Sequence, residues 1–81
     1  MESSMIAQLV KKFVENLVDN PDQIRIEEQS GERTTVINIF LVKEDVGKVI
    51  GRKGRIIEAI RTIGENISAK NQKRVSIHVI D

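Results

Sequence analysis

The sequence predicts a single α+β domain, residues 1–81, in which a three-stranded sheet carries helices on one face. Apolar residues recur at helical spacing in three segments and alternate at strand spacing in three others. A chain of 81 residues also leaves room for only one core. The predicted order is helix, strand, strand, helix, helix, strand.

The first helix is predicted from Met5 onward, with Ser3 or Ser4 as its N-cap. Apolar residues recur there every three or four positions, namely at Met5, Ile6, Leu9, Val10, Phe13, Val14 and Leu17. Asp19-Asn20-Pro21 is the expected stop, because the residue before a proline disfavours helical backbone.

The next two segments form a predicted hairpin. Ile24 and Ile26 alternate with polar residues, and a second strand over residues 33–42 follows the turn at Ser30-Gly31-Glu32. Its two faces are Ile37, Ile39 and Leu41 on one side and Val36, Asn38, Phe40 and Val42 on the other. Both faces are partly apolar, so we expect one to meet the helices and the other to be an interface.

Two helices and a strand complete the predicted fold. Asp45 is the expected N-cap of a short helix over residues 46–50 that Gly51 ends. A third helix begins at Arg55 and extends to about Lys70. Its apolar stripe is Ile56, Ile60, Ile63 and Ile67, with Ala59 alongside. The last strand, over residues 75–80, points Val75, Ile77 and Val79 inward and Ser76, His78 and Ile80 outward.

A basic loop bracketed by two glycines separates the second and third helices. Gly51 and Gly54 leave the turn without side chains, so a sugar-phosphate backbone can approach the main chain closely. Arg52 and Lys53 supply donors for phosphate oxygens. Residues 46–57 hold four cations and no carboxylate, and the dipole of the following helix adds attraction for phosphate.

These features predict a nucleic-acid site. Its expected residues are Gly51, Arg52, Lys53, Gly54, Lys48 and Arg55, with aliphatic Ile50, Ile57 and the second strand beside the bases. The competing interpretation is a tight turn between helices that binds nothing, since glycine is common at helix C-termini. A turn alone explains one glycine, but not two cations between a pair of them.

The charge distribution supports the same interpretation. Residues 1–45 carry five Lys/Arg and nine Asp/Glu, a net charge of −4, whereas residues 46–81 carry eight and three, a net charge of +5. The positive half contains the glycine pair. Such polarity concentrates a polyanion at one end of a nearly neutral protein.

Composition excludes several other classes of function. The chain has no cysteine, and its one histidine, His78, has no second ligand placed beside it, so we expect no disulfide, metal or cofactor. Nothing places a base beside a Ser or Thr, and no Walker A string exists, so we expect no catalysis. The sequence begins without a basic signal region and lacks an apolar run of about 20 residues, which predicts a soluble cytoplasmic protein.

Gly51-Arg52-Lys53-Gly54 and its surroundings resemble the GXXG region of K homology (KH) domains, whose loop clamps about four nucleotides of a single strand. The element order resembles the type II KH fold over essentially the whole chain. Within the family, the chain is similar to small stand-alone bacterial members. The likeness extends to Val18-Asp19-Asn20-Pro21-Asp22, Gly31-Glu32-Arg33 and Gly47-Lys48-Val49-Ile50-Gly51.

The resemblance implies a single-stranded RNA-binding protein, an RNA chaperone or post-transcriptional regulator that affects cell shape and cell-wall biogenesis. It also implies a homodimer or a pair with a larger KH-containing partner. The alternative is an interaction module with vestigial nucleic-acid binding, against which the two loop cations argue. Residue types do not distinguish RNA from single-stranded DNA. We expect dimerisation through Val36, Phe40, Val42 and Ile80, with Gly54 and the adjoining helix as the alternative surface.

Overall fold

The computed structural model describes residues 5–81, so the predicted N-cap at Ser3 or Ser4 lies outside the described residues. The main elements are α1 (Met5–Glu15), β1 (Arg25–Ser30), β2 (Thr34–Phe40), α2 (Lys43–Ile50), α3 (Arg55–Lys70) and β3 (Arg74–Ile80). Single turns of 3-10 helix lie at Pro21–Gln23 and Arg52–Gly54. The predicted α+β class and the α-β-β-α-α-β order of the type II KH fold are confirmed.

The sheet has the order β1-β2-β3, with β2 in the centre. β1 and β2 are antiparallel, and the hairpin closes where the Gly31 amide donates to the Thr34 carbonyl at 2.7 Å. β2 and β3 are parallel, so they need a long crossover, which α2 and α3 provide. Ile37 pairs with Ile77 in this register, which aligns the inward rows of the two strands.

The core lies between the sheet and the helices. Its buried apolar residues are Ala7, Val10, Val14, Ile37, Ile39, Leu41, Val49, Ile57, Ile60, Val75 and Ile77. The predicted inward faces of β2 and β3 are therefore confirmed, although Val79 is only partly buried. No helix within residues 5–81 is long and apolar enough to cross a membrane.

Two elements are shorter than the sequence predicted. α1 ends at Glu15, where the amide of Leu17 bonds to the Val14 carbonyl at 2.9 Å and closes a tight turn well before Pro21. β2 ends at Phe40 rather than at Val42. Val42 has extended backbone and is the N-cap of α2, so the chain turns from the strand directly into the helix.

The predicted start of α2 is wrong, and the predicted apolar stripe of α3 is fully buried only at Ile60. α2 begins at Lys43, which places Asp45 inside its first turn rather than at the N-cap. The buried residues of α3 are Ile57, Ile60, Gly64 and Ser68. A Cβ on Gly64 would lie 3.0 Å from Cδ1 of Ile77, so the glycine lets the helix lie close to β3. The predicted stripe instead turns partly to solvent, with Ile63 40% exposed.

Candidate nucleic-acid interface

The glycine loop (residues 51–54) reverses the chain between α2 and α3. Gly51 ends α2 with φ 77° and ψ 175°, and its amide bonds to the Gly47 carbonyl at 2.9 Å. Lys53 (φ 56°) and Gly54 (φ 73°) are both left-handed, and the Gly54 amide bonds to the Gly51 carbonyl at 3.1 Å. This geometry holds a tight turn with α3 starting directly after it.

The two glycines are required for different reasons. A Cβ on Gly51 would lie 2.6 Å from Cγ1 of Ile56, so only glycine fits against that side chain. A Cβ on Gly54 would meet nothing closer than 3.9 Å, at Cγ2 of Ile57. A side chain at Gly54 would therefore meet no clash, and the constraint there is the left-handed backbone alone.

Three cations lie in or next to the glycine loop, and the described residues provide no acidic side chain that pairs with them. Arg52, Lys53 and Arg55 are exposed, and none of them forms an ion pair within residues 5–81. Arg55 is the first residue of α3, whose N-terminal amides carry partial positive charge. The side chains and the helix end thus present positive potential on one surface, as an anion site requires.

Lys48 differs from the other predicted cations, because its charge is neutralised within the protein. Its Nζ lies 2.8 Å from Oδ2 of Asp19 and 3.9 Å from Oδ1 of Asp45. The hydrogen bond to Asp19 raises the pKa of Lys48 above its ordinary value, against an opposing effect of desolvation. The predicted contribution of Lys48 to the positive field is therefore reduced in this structure.

Asp45 fixes the segment that follows α1 to the start of α2, a role the sequence did not reveal. The carboxylate is 1% exposed and accepts hydrogen bonds from the backbone amides of Asp19 (3.2 Å) and Asn20 (3.1 Å) and from Nδ2 of Asn20 (3.1 Å). Burial alone would raise the pKa of Asp45, but these hydrogen bonds and Lys48 outweigh it and hold the pKa below its ordinary value. Only the tertiary fold joins residues so distant in sequence.

The residues predicted to contact bases differ in how much surface they expose. Ile57 is 4% exposed and belongs to the core, so it offers almost no surface to a base. β2 is paired on both edges, so its backbone cannot bind a base either. Ile50, at the end of α2, remains partly exposed beside the loop. The strand with an open edge near α3 is β3, where Nε of Arg61 donates to the Ile77 carbonyl at 3.1 Å.

The exposed apolar surface lies on the helices rather than on the sheet. Phe13 is 37% and Ile63 is 40% exposed, and together with Ile56 and Ala59 they form the α1–α3 patch. They border a shallow apolar depression of about 560 Å³ that reaches Arg55 beside the glycine loop. On the opposite face, Phe40 is partly buried, and the guanidinium carbon of Arg25 lies 4.2 Å from its ring centre.

Two helices joined by Gly-x-x-Gly and packed on a three-stranded mixed sheet define a KH domain of the type II arrangement. Residues 7–79 match the family described as KhpA/KhpB, KH domain. The chain belongs to this family.

Three similar proteins align with this chain over nearly their whole length. The chain is 41% identical to RNA-binding protein KhpA of Caldanaerobacter subterraneus subsp. tengcongensis over 75 residues, which cover 93% of this chain and 100% of that protein. It is 40% identical to RNA-binding protein KhpA of Clostridium acetobutylicum (90% and 97% covered) and 40% identical to that of Aquifex aeolicus (96% and 99% covered). These names describe binding proteins rather than enzymes. No solved structure matches the chain significantly.

Proposed function

We propose that this chain binds single-stranded RNA and holds the sugar-phosphate backbone in its glycine loop. The observation that carries the proposal is the loop itself, in which the uncrowded Gly54 lies beside three exposed cations that form no ion pair within residues 5–81. Relatives that cover nearly the whole chain are named RNA-binding proteins, which supports RNA as the ligand.

Each residue of the loop has a distinct role in this proposal. Gly54 admits the backbone, Arg52 and Lys53 donate to phosphate oxygens, and Arg55 adds positive charge at the start of α3. Ile50, partly exposed at the end of α2, offers aliphatic surface next to the loop for a base. About four nucleotides fill such a site, so the affinity of one domain is expected to be near micromolar.

We further propose that the chain acts as a pair of domains, either with a second copy or with a larger KH protein of the KhpB type. Two loops on one RNA would convert a modest single-site affinity into useful avidity. The α1–α3 patch supports a contact through α3, the alternative surface in the sequence prediction, because Ile63 is well exposed there. The sheet face is less suited, since Phe40 is partly buried and covered by Arg25.

The roles in RNA chaperoning, cell shape and cell-wall biogenesis, and the cytoplasmic location, belong to this same proposal and rest on the family alone. The alternative function, an interaction module without RNA binding, predicts a loop whose cations have no use. The exposed Arg52 and Lys53 therefore favour the RNA-binding proposal over that alternative.

The test is a double charge reversal, Arg52→Asp with Lys53→Asp. Both side chains are exposed, so the fold should remain intact while phosphate binding is lost. The matched control is Lys70→Asp with Lys73→Asp, two exposed cations at and just after the C-terminal end of α3. Circular dichroism checks folding, and fluorescence anisotropy measures binding to a labelled single-stranded RNA. Full binding by the folded loop mutant would refute the proposal.

A further inference from the structure

Asp19 forms an ion pair with Lys48, which lies in the last turn of α2 before the glycine loop. Nζ of Lys48 lies 2.8 Å from Oδ2 of Asp19, although the two side chains are 42% and 73% exposed. The buried Asp45 carboxylate accepts a hydrogen bond from the backbone amide of Asp19 at 3.2 Å. The core therefore anchors the backbone of Asp19 beside Lys48.

Lys48 lies within reach of the proposed phosphate path. It lies in the last turn of α2, three residues before Gly51, the first residue of the glycine loop. Side chains in a helix lean toward its N-terminus, and the ammonium now contacts Asp19. The flexible four-carbon stem of a lysine allows the ammonium to swing to the other end of the turn.

We propose that Asp19 restrains Lys48 in the free protein and competes with RNA phosphate for it, which makes Asp19 a residue that sets the affinity of the clamp. This inference rests on the proposed function of the glycine loop. Exposed ion pairs are weak, so a phosphate can displace Asp19 at small cost, and the expected effect of removing Asp19 is about a two- to fivefold change in affinity.

The experiment replaces Asp19 by asparagine, which keeps the shape and removes the charge. Asp19→Asn should bind labelled single-stranded RNA about two- to fivefold more tightly than the unmodified chain. The matched control is Asp22→Asn, which removes the same charge three residues away on an exposed turn.

A double-mutant cycle separates release of Lys48 from a general change in charge. Lys48→Met should weaken binding more in the Asp19→Asn background than in the unmodified chain, and it should abolish the gain that Asp19→Asn produces. Any gain from Asp22→Asn should persist when Lys48 is replaced. Thermal unfolding of each variant checks that folding is retained.

Three outcomes would overturn the inference. They are equal gains from Asp19→Asn and Asp22→Asn, an equal loss from Lys48→Met in both backgrounds, or no change in affinity from Asp19→Asn. If RNA binding still depends on Arg52 and Lys53, any of these outcomes refutes only the proposed restraint of Lys48 by Asp19 and leaves the proposed function intact. If the unmodified chain fails to bind RNA, the proposed function and this inference fall together.

Discussion

Replacing Gly51 by alanine tests whether the two glycines of the loop have separate roles. The new Cβ would lie 2.6, 2.8 and 2.9 Å from three side-chain atoms of Ile56, and φ of 77° with ψ of 175° suits only glycine. Holding an alanine in such a region costs about 1–3 kcal/mol. Displacing a packed side chain adds about 1–3 kcal/mol.

The expected net effect follows from these contributions and one opposing term. Alanine lowers the conformational entropy of the unfolded chain relative to glycine, which offsets about 0.4–1 kcal/mol of the destabilisation. Gly51→Ala should therefore lower the free energy of unfolding by about 3 kcal/mol, within a range of about 1–6 kcal/mol. For a domain of this size, about 3 kcal/mol corresponds to a fall in Tm of about 12–24 °C.

Gly54→Ala is the matched control, since Gly54 also has a left-handed backbone but its new Cβ would meet no atom closer than 3.9 Å. The left-handed conformation costs alanine about 1–2 kcal/mol, and the lower entropy of the unfolded chain offsets part of this cost. The free energy of unfolding should therefore fall by about 1 kcal/mol. Urea denaturation followed by circular dichroism measures both variants. Ile56→Ala should relieve part of the loss in Gly51→Ala, giving a non-additive double mutant. Equal destabilisation by the two glycine substitutions would contradict the packing role of Gly51.

Three further predictions concern binding, assembly and pH. If two or three phosphates are neutralised, the log–log slope of RNA affinity against salt should lie between about −1.4 and −2.1 in an anisotropy titration, and a slope steeper than about −4 would contradict a footprint limited to the loop. In sedimentation velocity, Ile63→Asp should disrupt self-association and Phe40→Asp should not. The α1–α3 patch would be contradicted as the contact if the unmodified chain is a strict monomer at high micromolar concentration, or if Phe40→Asp rather than Ile63→Asp disrupts the dimer. The pKa of Asp45 is lowered in the fold, so its stabilising effect should be complete at pH values well above the ordinary pKa of 3.8 and should be lost as the pH falls below 3.8. Urea denaturation should show that the unmodified chain is more stable than Asp45→Asn, and that this difference shrinks as the pH falls through that range. A difference that does not change with pH would exclude this linkage.

The sequence alone determined the fold class, the order of elements and the position of the loop. Period-two alternation in β2 and β3 identified their buried faces, because a strand offers only two faces. The glycines at 51 and 54 marked the loop, because few other residues accept its backbone conformation. These features depend on neighbours along the chain, so local pattern was sufficient to find them.

Tertiary structure decided which residues of each helix face the core and which charges remain available. α3 packs on the sheet through Gly64 and Ser68, because small residues allow close approach, and this turns Ile63 outward although its spacing fits a buried stripe. Asp45 reads as an N-cap, yet it is buried against backbone amides at positions 19 and 20. Lys48 is likewise predicted to be a free cation, whereas in the fold it forms an ion pair with Asp19. Contacts between residues 25 or more positions apart depend on how the elements pack, so local spacing does not predict them.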